Sequence, residues 1–264
     1  MKEMLLAIWR YRHFILSSIR NDLRSRFARS KLGALWMILQ PLAQVAIYSL
    51  VLSRIMSAKL PGIDSRYAYS LYLLSGMLAW SLFSEIVSRS LTVFVDNGSM
   101  LKKIVFPRVC LPLIVVGSAL VNNFLLLVVT IVVFALLGEF PGATALWIPA
   151  LMVCGVAFAL GLGLLLGVLN VFIRDINQFM QVILQLWFWL TPIVYMTTII
   201  PPALMSWMRL NPMYWIVTEY QGVLVYGRGP ELMSLLPILV SSLVLLIVGL
   251  LLFRKAAPDM VDVL

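Results

Sequence analysis

Long apolar stretches, separated by short clusters of basic residues, constrain this chain more than any other feature. A helix crossing the hydrocarbon core of a bilayer needs roughly 20 mostly apolar residues. Six stretches qualify, approximately Ala34–Ser53, Tyr67–Glu85, Val109–Leu137, Leu146–Ile173, Phe179–Ile199 and Leu232–Phe253. Only 12% of the 264 residues are charged and 62% are hydrophobic, whereas a water-soluble domain carries about twice that charge fraction. Much of the apolar surface must therefore face lipid. The expected fold is an all-α polytopic membrane protein with six transmembrane helices. It forms one domain over 1–264, with an interface helix and linker in 1–33, the bundle in 34–254 and a tail in 255–264.

An even number of spans puts both termini on one side. With the N-terminus inside, the inner set is Lys2, Arg10, Arg12, Arg20, Arg24, Arg26, Arg29, Lys31, Arg89, Lys102, Lys103, Arg108, Arg174, Arg254 and Lys255. The outer set is Arg54, Lys59, Arg66, Arg209 and Arg228, so the 20 basic residues divide 15 against 5. Basic loops stay on the cytoplasmic side, which places both termini there. The same distribution explains the net charge of +9 without a nucleic-acid partner, since no basic stripe has a fold of its own. Cys110 and Cys154 lie in apolar surroundings and read as small buried residues, not as a metal site or a disulfide framework. Arg10, Arg12 and His13 interrupt the first apolar residues, so the N-terminus lacks a cleavable-signal pattern and the first span is expected to be retained.

Three segments outside the spans have structure of their own. Met4–Ile19 has the spacing of an amphipathic helix in the inner interface: Leu5, Ile8, Trp9, Ile15, Leu16 and Ile19 share a face opposite Arg10, His13, Ser17 and Arg20. Arg12 falls among the apolar set, where a long side chain can snorkel. In residues 95–112, Asp96 or Asn97 can cap a short helix, and Pro107 prevents its smooth continuation. Residues 197–231 are apolar but are cut by Pro201, Pro202 and Pro212 into pieces too short to span, which predicts short interfacial or re-entrant helices at the outer face.

Several functions are disfavoured. The chain has no G-x-x-x-x-G-K-[ST] loop, and its single histidine, His13, lies near the N-terminus. No Asp, Glu, Lys or Arg stands near the middle of an expected span; Glu85, Arg54 and Arg174 lie at span ends. Ion-coupled carriers place ionisable groups at the midplane, so energy is expected to enter from another subunit. A membrane-embedded transferase would need a catalytic His/Asp or a carboxylate pair near one interface, which is not found. No catalytic residue, metal site or cofactor is expected in this chain.

Neutral polar residues are therefore the candidates. Trp36, Gln40, Gln44 and Tyr48 recur every four positions in the first span, and Gln178, Gln181, Gln185 and Trp189 follow at offsets of three, four and four, with Pro192 just beyond. Amides donate and accept hydrogen bonds and aromatic faces stack on sugar rings. Two such stripes suit a path for a weakly charged glycan; the alternative is amides that link helices inside the bundle. Trp80, Phe83, Trp147, Trp187 and Trp207 suit an aromatic belt, while Tyr195, Tyr214 and Trp215 are better candidates for an exit gate. Gly161, Gly163 and Gly167 predict close helix packing, and Asn122 and Asn123 predict interhelical hydrogen bonds.

Five stretches together carry a family resemblance. They are Arg20–Trp36 followed by Gln40-Pro41, Leu101–Arg108, Asn170–Asp175, Gln185–Tyr195, and Asn211-Pro212 with Tyr226-Gly227-Arg228. In order and spacing they resemble the type 2 ABC-transporter permeases that export polysaccharides, O-antigen exporter permeases in particular, with teichoic-acid and capsule permeases as relatives. The resemblance runs from about residue 10 to the end. It implies a homodimer in the bacterial inner membrane, two separate ATPase subunits on the cytoplasmic face that bind ATP and magnesium, and a lipid-linked polysaccharide as cargo among the membrane lipids. It also implies an N-terminal interface helix and a coupling helix over Asn97–Lys103 that docks in an ATPase groove, with Asp96, Lys102, Lys103 and Arg108 as contacts. Outer gate helices are implied over 201–226, with Pro201, Pro202, Trp207, Asn211, Pro212, Tyr214 and Trp215. A permease for another amphiphile (teichoic acid, capsule, lipid or drug) shares this architecture, and a secondary carrier is the more distant alternative.

Overall fold

A computed structural model describes residues 9–27, 33–36, 38–39, 42–43, 67–103 and 106–263. Its helices are α1 (Arg12–Phe27), α2 (Ala68–Asp96), α3 (Gly98–Lys103), α4 (Cys110–Leu136), α5 (Ile148–Phe172), α6 (Asp175–Trp189), α7 (Pro202–Met208), α8 (Pro212–Leu224), α9 (Leu232–Ala256) and α10 (Met260–Val263). Short 3-10 turns stand at Gly33–Leu35, Gly142–Trp147 and Thr197–Ile199. No strand occurs among the described residues.

Four segments are long and apolar enough to cross a membrane: Ala68–Asp96, Cys110–Leu136, Gly142–Phe172 and Leu232–Ala256. They answer to the second, third, fourth and sixth expected spans. Most of the expected first span, 34–53, lies outside the described residues. In the most apolar part of α2, 78% of residues are buried, against 22% in α4 and in α9. Helix α2 is therefore the centre of the bundle, and α4 and α9 present their apolar flanks outward.

Small residues set the central spacing. A Cβ on Gly167 of α5 would stand 2.3 Å from the Ser90 carbonyl oxygen of α2, and one on Gly163 would stand 2.7 Å from the Ser90 Cβ. Two residues before Gly163, on the opposite side of α5, a Cβ on Gly161 would stand 2.9 Å from the Leu246 nitrogen of α9. Glycine thus lets α5 lie close to both neighbours, as the Gly161/Gly163/Gly167 spacing predicts.

Three expectations are corrected. First, α2 does not stop at Glu85 but runs to Asp96, so Glu85 and Arg89 lie inside a long apolar helix. They persist there because they are paired. Arg89 Nη2 bonds Asp22 Oδ2 of α1 at 2.8 Å, Arg89 Nη1 lies 3.7 Å from Glu85 Oε1, and the Asn122 amide donates to Glu85 at 2.8 Å. Asn123 donates to the Leu78 carbonyl at 2.9 Å, so both asparagines bridge helices as expected.

Second, the apolar face foreseen for Met4–Ile19 divides. Ile19 packs over Gly117 of α4 and Phe14 lies 5.4 Å from the Phe106 ring, whereas Trp9 and Leu16 point outward. The helix continues to Phe27, and residues 1–8 lie outside the described ones. Arg12 sits over the Trp9 ring at 4.9 Å, which accounts for a cation among apolar residues.

Third, the expected span Phe179–Ile199 is not one helix: α6 begins at Asp175 and ends at Trp189.

Candidate functional site

The broken end of α6 is the most elaborately held part of the molecule. At 1.5 Å per residue its fifteen residues reach ~22 Å, short of the roughly 30 Å hydrocarbon core. Pro192 lacks the amide hydrogen that a continuing helix needs, and the chain turns away through Thr191–Met196. Residues 191–194 are buried, and irregular backbone in such a place is tolerated only when protein groups satisfy its carbonyls. They do so here. Asn211 Nδ2 donates to the Leu190 carbonyl at 3.2 Å, and Gln221 Nε2 to the Pro192 carbonyl at 2.9 Å. The Tyr72 hydroxyl lies 3.2 Å from both the Pro192 and Tyr195 carbonyls, and Tyr69 donates to the Val194 carbonyl. A Cβ on Gly76 would meet the Ile193 Cγ2 at 3.2 Å and its Cα at 3.4 Å, so glycine is what lets this loop press against α2.

Asn211 joins the gate segment to α6. Its Oδ1 accepts from Trp187 Nε1 at 2.7 Å and from the Met213 amide at 2.9 Å, which caps α8, while Nδ2 also donates to Thr191 Oγ1 at 3.0 Å. Pro212 takes the first position of α8 and Pro202 the first of α7, with Pro201 at the cap, so these prolines begin helices as well as break the span. Trp215 Nε1 donates to the Arg209 carbonyl at 2.9 Å, and the Tyr214 ring stands edge-on to Trp215 at 5.3 Å. The Tyr195 hydroxyl donates to the Trp189 carbonyl at 3.0 Å. Between α6, the loop and α7 lies an apolar cavity of about 770 Å3, lined by Leu186, Trp187, Tyr195, Pro201, Trp207 and Asn211 among others.

Of the two polar stripes, the structure describes one. Gln178, Gln181, Gln185 and Trp189 all stand on the exposed side of α6, opposite the buried Met180 and Leu184. Three amides thus have no covering element within the chain among the described residues. Trp36 is exposed as well, and Gln40, Gln44 and Tyr48 lie outside the described residues.

The other end of the bundle carries the short helix expected after the second span. Leu101 anchors α3 in a cluster with Phe94, Phe253 and the fully buried Met260, so the C-terminal residues fold back onto the same cluster. Lys102 and Lys103 remain exposed, and Arg108 is half-buried after Pro107. Asn97 does not cap α3 with its side chain. Its Nδ2 donates back to the Val93 carbonyl at 2.8 Å, while its own carbonyl accepts from Leu101. Asp96 is exposed and borders, with Asp22, Arg89 and Asn97, a cavity of about 520 Å3.

Sequence reasoning missed Tyr69, Tyr72 and Gln221 as carbonyl holders. A signal existed in Gln221, an amide in an apolar helix, and in a tyrosine pair three residues apart at the start of α2. Asn170 stands out in the sequence only as part of the Asn170–Asp175 stretch. Its amide donates to the Leu91 carbonyl at 2.8 Å and its oxygen accepts from the Asn177 amide at 3.0 Å, fastening α2, α5 and α6 together.

Comparisons with known proteins find relatives that match over most of the chain. The chain is 29% identical over 248 residues to an O-antigen export system permease protein of Myxococcus xanthus, covering 93% of both chains. It is 30% identical over 249 residues to one of Klebsiella pneumoniae, covering 92% of both. A polysialic acid transport protein of Escherichia coli is 24% identical over 245 residues, covering 91% of this chain and 92% of that one. The ABC-2 type transporter family profile matches residues 13–225, and the chain belongs to that family.

Proposed function

We propose that this chain is the membrane subunit of an ATP-driven exporter that moves a lipid-linked polysaccharide of O-antigen type across the bacterial inner membrane. The observation that carries the reading is similarity over nine-tenths of both lengths to permeases named for that export. Two such chains form the pore, and two ATPase subunits, which bind ATP and magnesium, dock on the cytoplasmic face. The chain crosses six times with both termini inside: a first span over 34–53, the four continuous spans, and a fifth made of α6 with its bound loop. Because Glu85 and Arg89 are present inside α2, the need for an external ATPase rests on the family and not on a bundle free of charge.

The exposed amides of α6 support a cargo path on that face. Gln178, Gln181, Gln185 and Trp189, with Trp36, Gln40, Gln44 and Tyr48 of the first span, line the polysaccharide path. Neutral amides and aromatic faces bind sugars weakly enough to let a polymer slide. Tyr195 and the α7–α8 segment, with Pro201, Pro202, Trp207, Asn211, Pro212, Tyr214 and Trp215, form the outer gate. Helix α3, flanked by Asp96, Asn97 and Arg108, is the coupling helix. ATP binding draws the ATPases together, and α3 passes that motion to α2 and the bundle.

Deleting the chain should abolish the cell-surface polysaccharide and leave lipid-linked polymer inside, with restoration by a plasmid copy. Surface polysaccharide that persists after deletion would overturn the reading, and loss of a capsule alone would move it to the capsule relatives. Reversing Lys102 and Lys103 to glutamate should leave a stable complex whose ATP hydrolysis no longer drives export. Unchanged export would remove α3 from that role.

A further inference from the structure

At the end of the bundle opposite α3, a second cavity of about 300 Å3 opens between α8, the start of α2 and the chain leading into α9. Its walls differ from those of the large apolar cavity beside it. Glu219 of α8 is only 5% exposed. Ser234 donates to its Oε1, and among the described residues no other protein group bonds this carboxylate. Two arginines, Arg209 and Arg228, line the same cavity. Neither is ion-paired with Glu219 or Glu231 among the described residues.

The Tyr226-Gly227-Arg228 sequence builds the mouth. Gly227 has φ +60°, a left-handed turn that suits glycine, and it returns the Arg228 amide to the Gly222 carbonyl at 3.1 Å. The Arg228 side chain then lies across α8, so close that a Cβ on Gly222 would stand 2.8 Å from its Nε. Gly222 and Glu219 are three residues apart and share a helix face. The guanidinium arm therefore crosses the same side of α8 that carries the carboxylate. Burial raises the Tyr226 phenol, and the Arg228 cation draws it partly back. Trp215, fixed through Arg209, supplies aromatic surface.

A buried acceptor on the floor, cationic donors at the rim and aromatic surface between them match the needs of a sugar ring. A carboxylate accepts from neighbouring hydroxyls, a guanidinium donates to ring and hydroxyl oxygens, and an aromatic face covers the C–H side. A simple anion would be repelled by Glu219. The volume is at the low end for small-molecule sites, enough for a sugar unit and not for a polymer. We infer that this cavity is a saccharide-binding subsite that grips a single unit of the cargo, hydroxyl side toward Glu219, as the polymer passes this end of the bundle. The inference rests on the export reading.

The test uses the purified full-length chain in nanodiscs and saturation-transfer NMR. The probe is the source cell's own surface polysaccharide, freed from its lipid by mild acid, with inorganic phosphate as a competitor. Ring protons should receive saturation from the native chain, and Glu219→Gln and Arg228→Gln should each weaken binding about tenfold without changing the melting temperature. Arg228 is exposed, so that variant keeps the test open if Glu219→Gln fails to fold. No transfer from the native chain, unchanged transfer in the variants, or displacement by phosphate would each overturn the subsite. If deletion abolishes the surface polysaccharide but the native chain shows no transfer, the subsite falls and the export reading stands. If the polysaccharide survives deletion, the export reading falls first.

Discussion

Asn211 accepts from a tryptophan and a backbone amide and donates to a carbonyl and a hydroxyl, which uses every polar group of its side chain. Replacing it with leucine removes a helix cap and strands the Trp187 indole and the Leu190 carbonyl. Asn211→Leu should lose about 1–3 kcal/mol of stability, measured as a lower denaturation midpoint in detergent. Glycines allow a sharper contrast. Gly167→Ala puts a methyl against the Ser90 carbonyl and should lose about 1–3 kcal/mol. At Gly155 the nearest atom to a new Cβ is a side-chain methyl at 3.7 Å, so Gly155→Ala should change stability by less than about 0.5 kcal/mol in the same melt. The glycine positions were legible because small residues at helical spacing mean one thing in a membrane bundle. Most of the work of Asn211 was not, because apart from the Met213 amide its partners lie 20 to 24 residues away and spacing says nothing about them.

At the scale of elements, apolar length decided most of what could be read. Four spans announce themselves because twenty apolar residues have few alternatives. Helix α2 was read short because Glu85 and Arg89 look like end markers, and only their pairing with Asp22 and Asn122 makes them tenable inside. Residues 179–199 read as one helix in the sequence, because the substitutes for helical hydrogen bonds come from α2 and α8, far away along the chain. Removing those substitutes should be costly. Gln221→Leu combined with Tyr72→Phe leaves the Pro192 carbonyl without a donor and should lose about 1–3 kcal/mol per stranded group. Equilibrium unfolding in detergent reads the loss, and an unchanged midpoint would mean that water takes over the carbonyl.

Across the whole molecule, α1 is tied to the bundle through Asp22 and Arg89, both about three-quarters buried. A double-mutant cycle with Asp22→Asn and Arg89→Gln should give a coupling of about 1 kcal/mol, read from melting of the four proteins. The exposed amide stripe of α6 makes a prediction about copies of the chain. In a background with Cys110 and Cys154 replaced, Gln185→Cys should yield a covalent dimer with a short bis-maleimide in native membranes. A chain that stays monomeric under those conditions would place the stripe against something else. The tie is not legible in the sequence, since it depends on surfaces that only the folded chain brings together.

With four of its carbonyls held by side chains of α2, α8 and Asn211, the α6 tip has no freedom to swing like a flap. Whatever widens this end of the transporter must carry the tip and its holders as a single wall. In the proposed pair of copies, room for a bulky passenger would come from parting the seam between them, and a wall that moves whole needs no hinge in the strip of backbone nearest the passenger.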